Sequence, residues 1–172
     1  YYFITVFVRK IILPCIVIYV FILPTFSFFL PIKKLYLKYE FKLKDIFFLW
    51  VIGIFNLGIV VNLFFKNIWG RARPGEILQL GGKENFTPWF QISDACASNC
   101  SFVSGDAAVG FSLIALYFLT KRIVYFWSSL FFGFGIGLIR IMEGGHFVSD
   151  VVMAAMILYL SYYFQMKYYF NK

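Results

Sequence analysis

The sequence predicts an all-α fold, a polytopic transmembrane helix bundle, and three observations carry that prediction. Of the 172 residues, 62% are hydrophobic and only 14% are charged, an apolar share above and a charged share below those of an ordinary soluble domain. Apolar runs close to the ~20 residues that cross a ~30 Å hydrocarbon core recur along the chain. The basic residues fall between these runs rather than along one solvated face. That placement sets nucleic acid aside as a partner and assigns the net charge of +8 to lipid head groups and membrane orientation. The length suits one membrane-embedded domain over residues 1–172.

Five spans are expected, at 11–30, 46–65, 103–120, 123–142 and 147–166. The first carries Pro14 and Pro24, which kink a membrane helix without excluding it. Between the first two spans lies IKKLYLKYEFKLKD, with Lys33, Lys34, Lys38, Lys42 and Lys44. Lys121 and Arg122 separate the third span from the fourth, and Lys167 and Lys172 lie in the tail. If all five runs cross, these stretches share one side, and their nine of the sixteen basic residues make it cytoplasmic. The aromatic tail YLSYYFQMKYYF reads as interfacial anchoring. The chain begins at Tyr1 rather than Met, so a preceding N-terminal segment is expected. Cys15 lies inside an apolar run and reads as a small core residue, whereas Cys96 and Cys100 share a polar loop and can pair if it faces an oxidising compartment. One histidine and dispersed cysteines make no zinc ligand set, so neither metal nor cofactor is expected.

The opposite side receives the 66–102 loop and the 140–147 turn, with six of the eight acidic residues. Chemistry is expected in this outer loop and at the helix ends beside it. His146 is the single histidine, and Asp150 follows it by four residues, one turn along the same helix face. A carboxylate there can hold one imidazole N–H and leave the other nitrogen free as a nucleophile. A lone interfacial histidine beside a polar neighbour is the plainer reading, but a carboxylate inside a span is costly and marks function. Lys66, Arg73 and Arg140 stand at membrane ends on the same side, where arginine forks match phosphate oxygens and lysine adds a point charge. Snorkelling explains each cation alone, not their coincidence with a His–Asp pair. Ser104 and Gly105 open a helix whose first N–H groups face an anion. Arg71 and Lys83 read as solvated loop charges, with head-group contact the alternative.

The pattern Lys66-x6-Arg73-Pro74, then Ser104-Gly105, then Arg140-x5-His146-x3-Asp150 resembles the three-part signature of the type-2 phosphatidic acid phosphatase superfamily. The resemblance implies a metal-independent phosphatase with a phosphohistidine intermediate. It also implies six helices in full-length membrane members, and so one helix upstream of these five. It makes His146 the nucleophile and Asp150 its orienting partner, with Lys66, Arg73, Arg140, Ser104 and the Gly105 N–H as the phosphate clamp. The GG-x-x-x-F-T-P stretch at 81–88 and the cysteine-flanked approach to Ser104 resemble the bacterial lipid A phosphatase branch.

Two departures stand out. Val103-Ser104-Gly105-Asp106 replaces the usual Pro-Ser-Gly-His, and Ile139 precedes Arg140 in place of the usual serine. Asp106 thus occupies the place of the family's general acid. Three readings are open: Asp106 is the acid, it is structural while water or Glu143 supplies the proton, or catalysis is impaired. The expectation is a bacterial inner-membrane phosphatase with its site facing the periplasm. Its substrate would be a phosphorylated membrane lipid such as lipid A or undecaprenyl pyrophosphate. The alternatives are a non-catalytic phospholipid-binding membrane protein with a degenerate site, or a lipid phosphotransferase.

Overall fold

In hydrocarbon a backbone N–H or C=O must find its partner within the chain, and an unbroken helix provides that for an apolar run. The computed structural model describes residues 2–29 and 39–170, which form helices and loops with one isolated bridge, Ile77 to Glu84. In chain order the helices are α1 (Phe3–Ser27), α2 (Leu43–Ile68), α3 (Gly105–Phe111), α4 (Ile114–Thr120), α5 (Ile123–Met142) and α6 (Val148–Phe170). Among the described residues, α1, α2, α5 and α6 are long and apolar enough to cross a membrane. A helical membrane bundle is the result.

The expected third span, 103–120, is a shorter and interrupted one, made of α3 and α4. The chain turns at Ser112 and Leu113, and Gly105–Thr120 falls short of a crossing length. It tolerates this because protein, not lipid, surrounds it: Ala107, Ala108, Gly110, Phe111, Leu113, Ile114, Ala115 and Leu116 are all buried. The turn also satisfies its own polar groups, with Ser112 Oγ donating to the Val109 carbonyl at 2.6 Å and Leu113 N to Gly110 O. The first span begins at Phe3, eight residues before the expected boundary of 11, which draws Arg9 and Lys10 inside the helix. Its prolines follow wider turns. Val8–Ile12 and Ile18–Ile22 are wound with i→i−5 bonds, and Pro14 and Pro24 stand just beyond them, where such winding absorbs a missing N–H.

Small residues bring the central helices together. A Cβ on Gly110 of α3 would lie 2.7 Å from the backbone N of Gly133 on α5, and one on Gly137 would lie 2.4 Å from Val151 on α6. Ser129 of α5 donates to the Phe111 carbonyl at 2.8 Å, and Asn56 of α2 donates to Gln165 of α6 at 2.8 Å. The aromatic tail divides between two environments. Tyr163, Phe164 and Tyr168 face outward as anchoring residues would, but Tyr162 and Met166 belong to the core. Cys15 is not a core residue: it is exposed and lines an apolar cavity of about 550 Å³ between α1 and α5.

At the basic end, buried Asp45 accepts from the hydroxyl of Tyr39 at 3.3 Å, the N–H of Lys42 at 2.9 Å and the hydroxyl of Tyr169 at 2.5 Å. Burial, with Asp45 adding to it, pushes the Tyr39 phenol up to about 12. Lys33, Lys34, Lys38 and Lys172 lie outside the described residues. Gly110→Ala is expected to lower stability by about 1–3 kcal/mol, because its methyl meets backbone that cannot rotate away. A thermal melt in detergent checks this.

Candidate active site

The site end of the bundle is organised by a reversal after α2. Gly70 makes the turn with φ +65°, and a Cβ there would sit 1.7 Å from the Ser93 carbonyl oxygen, so no larger residue fits. Trp69 Nε1 donates to Trp89 O at 2.8 Å and Ser93 N donates back to Trp69 O at 3.0 Å. The loop then returns across the helix ends through short 3-10 turns at Pro74–Glu76 and Leu78–Leu80.

Arg71 is where the structure overturns the expected solvated charge. Its side chain is 2% exposed and pairs with fully buried Asp150 of α6 at 2.5 Å. It also donates to the Thr87 carbonyl at 2.9 Å and to Ser149 Oγ at 2.8 Å, and its guanidinium lies 4.0 Å from the Phe147 ring centroid. A guanidinium buried and bonded in this way has no solvent-facing role to play.

Asp150 has further partners. Its Oδ2 accepts from Ser101 Oγ at 2.5 Å and from Phe147 N at 2.9 Å, the latter closing the first turn of α6. His146 Nδ1 lies 2.7 Å from the Ser101 carbonyl and 3.7 Å from Asp150 Oδ2. A carbonyl only accepts, so the Nδ1–H donates to it, which leaves the lone pair of a neutral imidazole on Nε2. The contact between His146 and Asp150 that the i,i+4 spacing predicts is present at 3.7 Å, and a second route reinforces it. Asp150 holds Ser101, and the Ser101 carbonyl holds the imidazole.

The cations gather around the opening of α3. Lys66 Nζ donates to Asn99 Oδ1 at 3.2 Å, and a Cβ on Gly105 would sit 3.1 Å from that same Nζ. Arg73 donates to the Asn99 carbonyl at 2.7 Å. Asn99 itself adopts φ +51°, a left-handed conformation that asparagine tolerates. It sits inside the small ring closed by the Cys96–Cys100 disulfide. Arg140 is buried, bonds to Glu143, packs over Gly145 and brings its Nε within 3.1 Å of Asp106 Oδ2. Arg9 of α1 approaches that same Oδ2 with its Nε at 3.5 Å. Lys66 interacts electrostatically with Asp106, Arg73, Arg140 and Arg9. Ser104 is fully buried, and its hydroxyl accepts from Ala107 N at 3.4 Å as the N-cap of α3.

All eight residues singled out in the sequence thus lie at one end of the bundle, tied together by these contacts and by Ser104 N donating to Asp150 O at 3.2 Å. Four others, Arg9, Arg71, Asn99 and Ser101, were not singled out. Charges inside or beside an apolar run were the available signal for Arg9. For Asn99 and Ser101 the residue type alone gave none. Among the described residues no group of His, Cys, Asp or Glu is arranged to hold a metal ion. Arg71→Met leaves Asp150 buried without its cation and is expected to cost about 3–5 kcal/mol. Arg71→Met with Asp150→Asn should recover part of that loss in a denaturation series.

Comparison with known proteins places this geometry. The family described as the PAP2 superfamily matches residues 46–172. The chain is 44% identical over 134 residues to the lipid A 4'-phosphatase of Francisella tularensis subsp. novicida, covering 76% of this chain and 59% of that protein. It is 36% identical over 98 residues to the lipid A 4'-phosphatase of Rhizobium leguminosarum, covering 55% of this chain and 42% of the relative. The chain therefore spans between about two fifths and three fifths of these relatives. No solved structure matches it. With the family match reaching from within α2 to the end of the chain, and all three motif segments inside it, the chain belongs to the PAP2 superfamily.

Proposed function

We propose that the protein removes a phosphate group from lipid A at the periplasmic face of the bacterial inner membrane, through a phosphohistidine intermediate. The observation that carries this reading is the fixed tautomer of His146. Its Nδ1–H is committed to the Ser101 carbonyl, so Nε2 is the nitrogen available to attack phosphorus. The relatives named lipid A 4'-phosphatase support the substrate. The Cys96–Cys100 disulfide in the outer loop supports an oxidising compartment on that side.

In the proposed reaction Nε2 bonds to phosphorus in line as the bond from phosphorus to the lipid oxygen breaks. The lipid leaves as an alcohol after taking a proton. Water then attacks the phosphohistidine and releases inorganic phosphate, restoring the imidazole. Lys66, Arg73 and Arg140, with Ser104 and the Gly105 N–H, stabilise the charge on the transferring group, and their fixed positions limit reorganisation during the step. Asp150 orients the imidazole directly at 3.7 Å and through Ser101. Asp106 takes the positioning role among its three readings, because two guanidinium groups converge on its Oδ2. Glu143 is engaged by Arg140, which leaves water to supply the leaving-group proton.

His146→Ala is expected to lower phosphate release from lipid A by about 10³-fold or more while the protein still purifies as a folded species. Full retention of turnover would remove the nucleophile assignment. Gly105→Ala should push Lys66 out of place and reduce kcat/KM by about tenfold or more. Asp106→Asn is expected to retain measurable kcat with an unshifted basic limb of the pH profile, the limb a general acid would set. Loss of that limb would restore Asp106 as the acid.

A further inference from the structure

Arg9 and Lys10 are the charged residues between Phe3 and Ser27. They sit inside a helix that is otherwise apolar enough to span the membrane. An arginine in such a place is retained for a partner or a substrate. Its partner here is Asp106, and the geometry is graded. Arg9 is 56% exposed, Asp106 20% and Arg140 7%, with both arginines on the same carboxylate oxygen. The charges therefore run from the outside of the bundle to its interior.

The outer end of α1 is also fixed against the site independently of that ion pair. Ile4 and Thr5 of α1 line a small cavity with Ile139, Met142 and Glu143 at the end of α5, one turn from Arg140. The Arg9 atom that faces Asp106 is Nε, at 3.5 Å, while the buried Arg140 comes to 3.1 Å. Among the described residues the two terminal amino groups of Arg9 make no hydrogen bond. Those are the groups that bind phosphate oxygens side by side.

We infer that Arg9 is a substrate-recognition residue on the lipid side of the site, meeting the phosphate monoester of a membrane lipid before Lys66, Arg73 and Arg140 take it. The inference rests on reading the site as one for a phosphorylated lipid. It gives α1, which carries none of the three motifs, a part in binding. A lipid confined to the membrane approaches from the bundle's flank, where Arg9 is the outermost cation of the graded series. A phosphate ion from water has no need of that route.

The test compares the two sources of the same chemistry in the His146→Ala background, where bound lipid is not consumed. Protein in nanodiscs is titrated with lipid A and, separately, with inorganic phosphate. Adding Arg9→Gln is expected to weaken lipid A binding about tenfold and phosphate binding less than about threefold, and Arg9→Lys to recover most of the loss. Equal weakening for both probes would place Arg9 in the inner clamp and overturn the lipid-side role. No weakening for lipid A would overturn it as well, and so would a parent that binds neither probe. Comparable melting temperatures for the three proteins separate binding from folding. Failure of the phosphatase reading shows elsewhere, as absence of phosphate release from lipid A by the protein with His146 intact.

Discussion

A guanidinium and a carboxylate removed from water hold this molecule's chemistry in place. Arg71 enters from the loop after α2, and Asp150 from the first turn of α6. Neither charge is tolerable alone in that interior, so each fixes the other. The remaining lone pairs of Asp150 are then spent on Ser101 and on the start of α6, and the Ser101 carbonyl fixes the imidazole. One pair thereby joins loop, second motif and third motif. Phe147 and Phe86 close over the guanidinium, excluding the water that would weaken the attraction.

The same end of the bundle concentrates positive charge, and that concentration needs explaining because like charges repel. Carboxylates and carbonyls are interleaved with the cations. Asp106 and Glu143 engage Arg140, while Asn99 takes Lys66 with its side chain and Arg73 with its backbone. The disulfide keeps Asn99 in a tight ring. Glycines do the spatial work: Gly105 admits the Lys66 ammonium and Gly145 the Arg140 guanidinium, both at distances a methyl would invade. The outcome is a set of donors held in fixed positions at one end of the bundle, the preorganisation that the proposed reaction calls on.

Substituting aspartate for the family's histidine at position 106 fits this arrangement. A histidine there would bring another potential cation to a region that already has several. A carboxylate instead supplies a shared anion for Arg9 on one helix and Arg140 on another. The substitution reads as a change in how the cations are held.

The sequence by itself determined that the chain is a helical membrane bundle, since apolar length is what lipid demands of a helix. It also singled out eight residues that the structure gathers at one end of the bundle, because the motif spacings are local. It started the first span at residue 11, whereas α1 already runs from Phe3 through Arg9 and Lys10, and it read as one run a third span that is interrupted at Ser112 and Leu113. Only the tertiary structure decided that Arg71 is interior, that the Ser101 carbonyl takes His146 Nδ1, and that Arg9 of α1 approaches Asp106. Those are contacts between segments tens of residues apart, and no periodicity along one helix encodes which distant partner will neutralise a buried charge.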